Sequence, residues 1–347
     1  MTSVRHKAII GSAGSGKTQR LIDLALAAAA NGRRVLLTTY TIENRTQLEH
    51  RIAAALGAVP ANIDILTWYR FVINELCHPY QLSFLGDIGV VGSLNFGGKP
   101  FLYAKKSERR YYLDKNGDVY RNRVSALALA CNAASGGCVV DRLASIYSEI
   151  FIDEMQDLAG HDFDLLDILL KSPINLHLVG DPRQALYFTD DSIKNKKYKG
   201  PEFVAWLREH GAVCGLDWLK ESHRCSQAIL DWADVLFPEY EQSVTLHEKP
   251  HEGDGVFALP RGEVLSYVAQ HGGDVKVLRH QKSTDTLGLP AINIGVSKGS
   301  TYPRVVLFGS GPMVNYFLGR LPVAELKQRS RLYVAVTRAR HSVGIVI

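Results

Sequence analysis

Eight consecutive residues, Gly11-Ser12-Ala13-Gly14-Ser15-Gly16-Lys17-Thr18, have the composition of a loop that wraps an anion. Glycines let the backbone turn tightly enough for successive N–H groups, and the start of the following helix, to face phosphate oxygens. Lys17 supplies a point charge for the outer phosphates of a nucleotide, and the Thr18 hydroxyl is a magnesium ligand. A second constellation is Glu149-Ile150-Phe151-Ile152-Asp153-Glu154-Met155-Gln156-Asp157, where an apolar run delivers two adjacent carboxylates, Asp153 and Glu154, at its end. Asp153 suits a metal ligand, and Glu154 suits the orientation or deprotonation of a water attacking the terminal phosphate. A third is Leu176-His177-Leu178-Val179-Gly180-Asp181-Pro182-Arg183-Gln184. Gln184 is placed to report the terminal phosphate, while Asp181 followed by Pro182 also reads as a helix start.

These residues need elements that hold them at one edge. Short apolar runs appear at residues 8–10, 35–39, 63–66, 150–152 and 176–179, then at 213–216, 292–296, 305–308 and 343–347. Amphipathic stretches at 19–30, 47–56, 162–170 and 226–236 lie between them. Buried strands alternating with helices predict parallel α/β sheets covered on both faces, and open sheets of that kind bind ligands at the strands' C-terminal ends. Two segments break the rhythm. Residues 82–137 are Gly- and Tyr-rich and basic, with a turn signal at Asn116-Gly117, and read as a small insertion. Residues 237–288 are short of long periodic segments and are expected to form peripheral loops.

Composition narrows the class. The chain has 347 residues, 46% hydrophobic and 22% charged, long enough for about two domains. Its longest apolar stretch, residues 24–30, is far short of a membrane span. Residues 1–10 reach the Gly-rich loop before any signal-peptide core, and the five cysteines are scattered without zinc-ligand spacing. A cytoplasmic chain with reduced thiols and no membrane partner is expected. The formal charge of +5 permits a polyanionic partner without demanding one.

The three constellations, in this order, resemble motifs I, II and III of superfamily 1 DNA helicases of the UvrD/PcrA/Rep type. Leu37-Thr38-Thr39-Tyr40-Thr41 and Leu48-Glu49-His50-Arg51-Ile52 resemble motif Ia, and Leu66-Thr67-Trp68-Tyr69-Arg70-Phe71 resembles the family's Thr-Phe-His-Ser-Phe-like segment. Glu221-Ser222-His223-Arg224-Cys225 resembles the start of motif IV, and the stretch from Val296 through Lys298 and Gly299 to Val305 resembles motif V. Arg331-Leu332-Tyr333-Val334-Ala335-Val336-Thr337-Arg338-Ala339 is close to motif VI.

The resemblance implies an α/β fold of two RecA-like P-loop NTPase domains with parallel sheets, the first carrying a small accessory insertion. On that reading residues 1–80 and 138–212 form the first, ATP-binding domain, 81–137 a 1B-like insertion, and 213–347 the second domain. It implies ATP and Mg2+ as cofactors, with Lys17, Glu154, Gln184, Arg224 and Arg338 catalytic, the two arginines acting as fingers from the second domain. A transition state with charge on the γ-phosphoryl group needs added positive charge, so its supply from another domain makes hydrolysis depend on closure. Single-stranded DNA, more than RNA, is the implied partner, met by Thr39, Tyr40, Thr41, Thr67, Trp68 and Tyr187. Hydroxyls suit phosphate oxygens, and aromatic rings stack on bases of any sequence. Basic clusters at 105–110 and 194–199 suit a phosphate-tracking groove.

Departures from the family pattern fall at nucleotide-binding positions. His223 stands where a tyrosine stacks on adenine, Gln19 stands where an arginine follows the loop's threonine, and the upstream glutamine motif has no counterpart before Ala8. Thr301 replaces a glutamate in motif V. Only about seventy residues separate Arg224 from Lys298, too few for the family's 2B domain. The expectation is a stripped 3′→5′ translocase or helicase. The alternative is an ATP-gated DNA-binding or assembly module working with a nuclease or other protein partner.

Overall fold

Val35–Thr39 reads Val-Leu-Leu-Thr-Thr, and every one of its residues is buried. A strand covered on both faces needs parallel neighbours and flanking helices, and the computed structural model has both. It describes residues 5–86, 91–101, 103–247 and 253–347. Residues 1–4 of the N-terminal reading, 87–90 and 102 of the expected insertion, and 248–252 of the expected loop region lie outside the described residues. The chain divides into two compact units. The first comprises Met1–Ile10, Thr18–Pro182 and Tyr187–Asp217, and the second Gly11–Lys17, Arg183–Leu186 and Trp218–Ile347.

The first unit is built on strands β1 (His6–Gly11), β2 (Val35–Thr39), β3 (Ile63–Thr67), β4 (Glu149–Ile152), β5 (Asn175–Gly180) and β6 (Cys214–Leu219), in the sheet order β3-β2-β4-β5-β1-β6. The pairs β1/β5, β2/β3, β2/β4 and β4/β5 are parallel. Parallel registry puts the ends of these strands at one edge, and with them Gly11, Tyr40, Trp68, Asp153 and Asp181. Helix α1 (Lys17–Ala30) buries Leu21, Ile22, Ala25 and Ala28, one stripe at helical spacing. Helix α2 (Ile42–Leu56) starts where the Thr41 hydroxyl accepts the Asn44 N–H at 3.1 Å, and it ends at Gly57 with φ 84°.

The segment read as an insertion contributes to the core. Helix α3 (Val124–Ala134) buries Val124, Leu127, Ala128 and Cys131, and it packs against Val72–Cys77 and against helix α4 (His161–Lys171). The turn at Asn116-Gly117 is present: Asp114 accepts the Asn116 and Asp118 N–H groups, and Gly117 takes φ 84°. Among the described residues, no single helix is long and apolar enough to cross a membrane.

The second unit carries a five-stranded sheet of β7 (Gly255–Leu259), β8 (Val275–Arg279), β9 (Ala291–Asn293), β10 (Tyr302–Phe308) and β11 (Ala339–Val346), ordered β7-β11-β10-β8-β9 with every pair parallel. Alternation along β10 sorts the two faces. Val305 and Leu307 join Ile229, Leu230, Ala233, Leu332 and Val336 on one side, while Val306 and Phe308 join Val264, Val277 and Val346 on the other. The first side is covered by helices α6 (Gln227–Asp234) and α8 (Arg329–Val336), the second by α7 (Val264–His271). An α5 helix (Phe203–Glu209) belongs to the first unit.

Two expectations need correction here. Residues 237–288 do not form only peripheral loops, because β7 and β8 lie in the central sheet. Lys276 and Arg279 conceal β8 in the sequence; Lys276 lies over the Tyr302 ring at 5.8 Å, and Arg279 donates to Asn293 at 3.0 Å. The apolar run at 292–296 is a strand only to Asn293, and Ile294–Ser297 turns as a 3-10 helix.

Candidate functional site

The part of the phosphate loop in the second unit, Gly11–Lys17, shows why its glycines are needed. Gly14 and Gly16 take φ of 75° and 76°, a region that favours glycine. A Cβ on Gly14 would stand 2.5 Å from Arg224 Cβ and 2.8 Å from Ser222 Oγ. The Lys17 ammonium donates to the Ser12 carbonyl at 3.4 Å. The Ser12 and Ser15 hydroxyls are buried and have no hydrogen-bond partner among the described residues. Unmet polar groups inside a glycine-shaped cradle fit phosphate oxygens as their partners.

In the first unit the Thr18 hydroxyl donates to Asp153 Oδ2 at 3.1 Å. Asp153 directly follows β4, with its own N–H donated to the Thr38 carbonyl at 2.8 Å. Hydroxyl and carboxylate together form a hard oxygen pair that fits magnesium. No group of three or more His, Cys, Asp or Glu side chains that could hold a metal occurs among the described residues. Magnesium suits such a site because it takes one or two protein oxygens and completes its shell with phosphates and water.

Glu154 adopts φ 62° and ψ 41°, a left-handed conformation rare for a non-glycine residue and costing about 1–3 kcal/mol. Gln156 holds it there. Its amide donates to the Glu154 carboxylate, and its oxygen accepts the Asp181 N–H at 2.9 Å. Gln156 is fully buried and links the ends of β4 and β5, a role that sequence reasoning did not assign although the residue sits inside the motif.

Within the second unit Arg338 is almost wholly buried and fully engaged. It donates to the carbonyls of Val334 at 3.1 Å and Ser300 at 3.3 Å, and to the Gln184 side-chain oxygen at 3.1 Å. Arg224 donates to the Thr337 carbonyl at 3.2 Å. The expected residues Gln184, Arg224 and Arg338 therefore gather around Thr337. His223 is exposed, and its N–H donates to the Gly14 carbonyl at 2.9 Å. Gln19, on the exposed side of α1, donates to Asp23 at 2.7 Å and accepts from Arg51.

The residues expected to meet nucleic acid divide by burial. Tyr40 and Tyr187 face each other nearly parallel, with centroids 6.2 Å apart, and Tyr187 is 37% exposed. Tyr69 adjoins Tyr40 at 5.9 Å and meets the exposed ring of Phe96 edge-on at 5.8 Å. Neither Tyr69 nor Phe96 was expected, though both are aromatic residues in the segments concerned. Trp68 requires a correction: it is 1% exposed, and its indole N–H donates to Asp162 at 3.0 Å, so its ring has no open face for a base. Thr39 and Thr67 are buried, and Thr41 caps α2.

Asp162 also accepts the hydroxyls of Ser125 and Thr189 and the Ala159 N–H. Burial pushes its carboxyl up to about 6 against these donors. In the basic stretch at 194–199, Lys194, Lys197 and Lys199 pair with Asp164, Glu209 and Asp191. In the other cluster, Arg110 pairs with Glu108 and lies over the Phe101 ring at 5.9 Å.

Parallel α/β sheets, a glycine-rich loop between a first strand and a helix, and a hydroxyl–carboxylate pair at the next motif define the RecA-like P-loop fold. The chain belongs to the AAA domain family, whose model (AAA_19) matches residues 2–190. Among solved structures it is similar to arterivirus nonstructural protein 10, a helicase, with TM-score 0.51 and 18% identity over 98% of this chain and 59% of that one. A structure of the same helicase with DNA gives TM-score 0.52 and 18% identity over 99% of this chain and 60% of that one. The chain thus spans about 60% of the length of these structures. The chain shares its fold with these structures. Among curated proteins nothing matches the sequence.

Proposed function

We propose that this chain is a magnesium- and DNA-dependent ATPase of the UvrD/PcrA/Rep-like type that moves 3′→5′ on single-stranded DNA. The observation that carries the reading is the Thr18–Asp153 pair at 3.1 Å, placed directly after the phosphate loop. Thr18 and Asp153 would hold magnesium there, and it would supply positive charge against the phosphates. Lys17 binds the same phosphates from the loop. Glu154 accepts the proton of the attacking water, and Gln184 holds that water or the γ-phosphate. Arg224 and Arg338 add positive charge as the terminal P–O bond breaks to give ADP and phosphate. Hydrolysis then alternates the states of two RecA-like domains, residues 1–80 with 138–212 and residues 213–347, with 81–137 as an accessory insertion.

The likeness to a helicase solved with DNA supports nucleic acid as the track. The Tyr40–Tyr187 pair supports unpaired bases as the contact, since stacking needs a free base face and tolerates any sequence. The test is ATP-driven displacement of a protein block from single-stranded DNA. Blocks at the 5′ end should clear faster than blocks at the 3′ end, and equal or absent clearance overturns translocation of this polarity.

A second reading is favoured by the short stretch between Arg224 and Lys298, about seventy residues. It is an ATP-gated DNA-binding or assembly module beside a nuclease partner. This reading gains if DNA binding changes with nucleotide while blocks stay in place.

A further inference from the structure

Helix α8 buries five consecutive residues, Leu332, Tyr333, Val334, Ala335 and Val336, each at 0% exposure. Only Tyr333 among them carries a side-chain polar atom. A phenylalanine would fill the same volume without bringing a hydroxyl into the core, where it costs stability unless it is hydrogen-bonded. The Tyr333 ring already has its packing partner in Phe237, edge-on at 5.6 Å. Its hydroxyl accepts the Ala13 N–H at 3.3 Å and Arg183 Nη1 at 3.4 Å. All of these residues lie in the second unit.

Arg183 stands one residue before Gln184, yet it is aimed elsewhere. It is 5% exposed, donates to the Glu241 carbonyl at 2.9 Å and Ser243 Oγ at 3.3 Å, and stands 3.8 Å from Asp234. Such a guanidinium braces a segment. The backbone of Tyr333 supports a second arm: its carbonyl accepts the Thr337 N–H at 3.0 Å and the Thr337 hydroxyl at 2.8 Å. The Thr337 carbonyl in turn accepts Arg224 at 3.2 Å.

We propose that Tyr333 is a positioning residue for nucleotide turnover, its hydroxyl tying the phosphate loop at Ala13 to Arg183 while its carbonyl holds the turn that orients Arg224. The inference rests on the proposed ATPase reading and deepens it. The tie sets where the loop's backbone donors stand relative to the charges that act on the γ-phosphate. A misplacement of the loop is felt in the transition state more than in ground-state binding. Ala13 has an independent grip on its other side, since Ser222 Oγ donates to the Ala13 carbonyl at 2.8 Å. Loss of the Tyr333 hydroxyl therefore leaves the loop attached but loosened.

The experiment compares wild type with Tyr333→Phe and with Ser222→Ala as a second loop variant. Hydrogen exchange over the peptide containing Gly11–Lys17 reads the tie directly and needs no turnover. Tyr333→Phe should exchange about five to ten times faster there, the worth of one buried hydrogen bond, with exchange over the strands of the first unit's sheet unchanged. ATP turnover at saturating single-stranded DNA should show kcat falling about fivefold to tenfold while KM stays within about twofold. Tyr333→Phe combined with Arg183→Gln should lose no more than the worse single variant, because both remove one linkage. Unchanged loop exchange overturns the proposal, as does wild-type kcat in Tyr333→Phe or additive loss in the double variant. If wild type hydrolyses no ATP with any polymer, the ATPase reading fails, and faster loop exchange still decides the structural tie.

Discussion

Arg338 Nη2 donates to the Gln184 side-chain oxygen at 3.1 Å, so the last arginine of the chain's motif VI-like segment and the glutamine after β5 form one hydrogen-bonded pair. Two further donations, to the Val334 and Ser300 carbonyls, fix the plane of the guanidinium. A charge already oriented by backbone carbonyls needs no reorganisation when negative charge develops nearby. The planar fork is what makes the triple contact, and an ammonium cannot reproduce it.

Arg338→Lys should therefore keep the positive charge and lose most of the activity. The expected loss is about a hundredfold or more in kcat, with nucleotide KM within a few-fold, as for removal of an arginine finger. Steady-state ATPase assays check this, and a kcat within twofold of wild type contradicts the role.

Lys17→Ala and Glu154→Gln should fail differently. Lys17→Ala removes the charge that meets the phosphates, so both nucleotide binding and turnover are lost. Glu154→Gln keeps the shape of the site and the Gln156 contact surface. It should bind a fluorescent nucleotide analogue about as well as wild type while turning over about a thousandfold more slowly, the loss of its general base. Binding titrations beside ATPase rates separate the two.

The aromatic residues give opposite expectations. Tyr187→Ala removes an exposed ring facing Tyr40 at 6.2 Å and should weaken single-stranded DNA binding by about 1–3 kcal/mol, the worth of one stacked base. Trp68→Phe changes a buried residue bonded to Asp162. It should lower the unfolding midpoint and leave the DNA affinity of the folded protein unchanged. Fluorescence anisotropy with labelled oligonucleotides reads both.

Asp162 gives a pH signature. Its carboxyl is raised to about 6 by burial, with the neighbouring Asp190 charge adding to the shift. An unfolded aspartate titrates near about 3.9. Between those values the folded chain holds a proton that the unfolded chain has released, so its contribution to stability is full below about pH 4 and lost above about pH 6. The difference amounts to about 3 kcal/mol. Asp162→Asn should be less stable overall, because its amide presents N–H where Ala159 or Thr189 donates. Its stability curve should lack this fall, as urea unfolding at a series of pH values would show.

The parallel sheets were legible because their strands are short and largely apolar and are buried on both faces, as Val35–Leu37 and Ile150–Ile152 show. The phosphate loop was legible because glycine spacing and the Lys17-Thr18 pair are local. Strand β8 was hidden by its charged residues Lys276 and Arg279, the first of which lies over the Tyr302 ring. Trp68 was misread because a ring after a strand looks alike in sequence whether it faces solvent or a buried carboxylate. Gln156 and Tyr333 were quoted within motifs without a role, since what each does depends on partners 25 and 320 residues away. Contacts of that range are set by folding and leave no local spacing to read.

The most direct test of the account is steady-state ATP hydrolysis by wild type and Glu154→Gln, each with magnesium and either no polymer, single-stranded DNA, duplex DNA or RNA. The account predicts turnover by wild type stimulated about tenfold or more by single-stranded DNA, more weakly by duplex and RNA, and abolished in Glu154→Gln. Turnover indifferent to every polymer, or undiminished in Glu154→Gln, would contradict it.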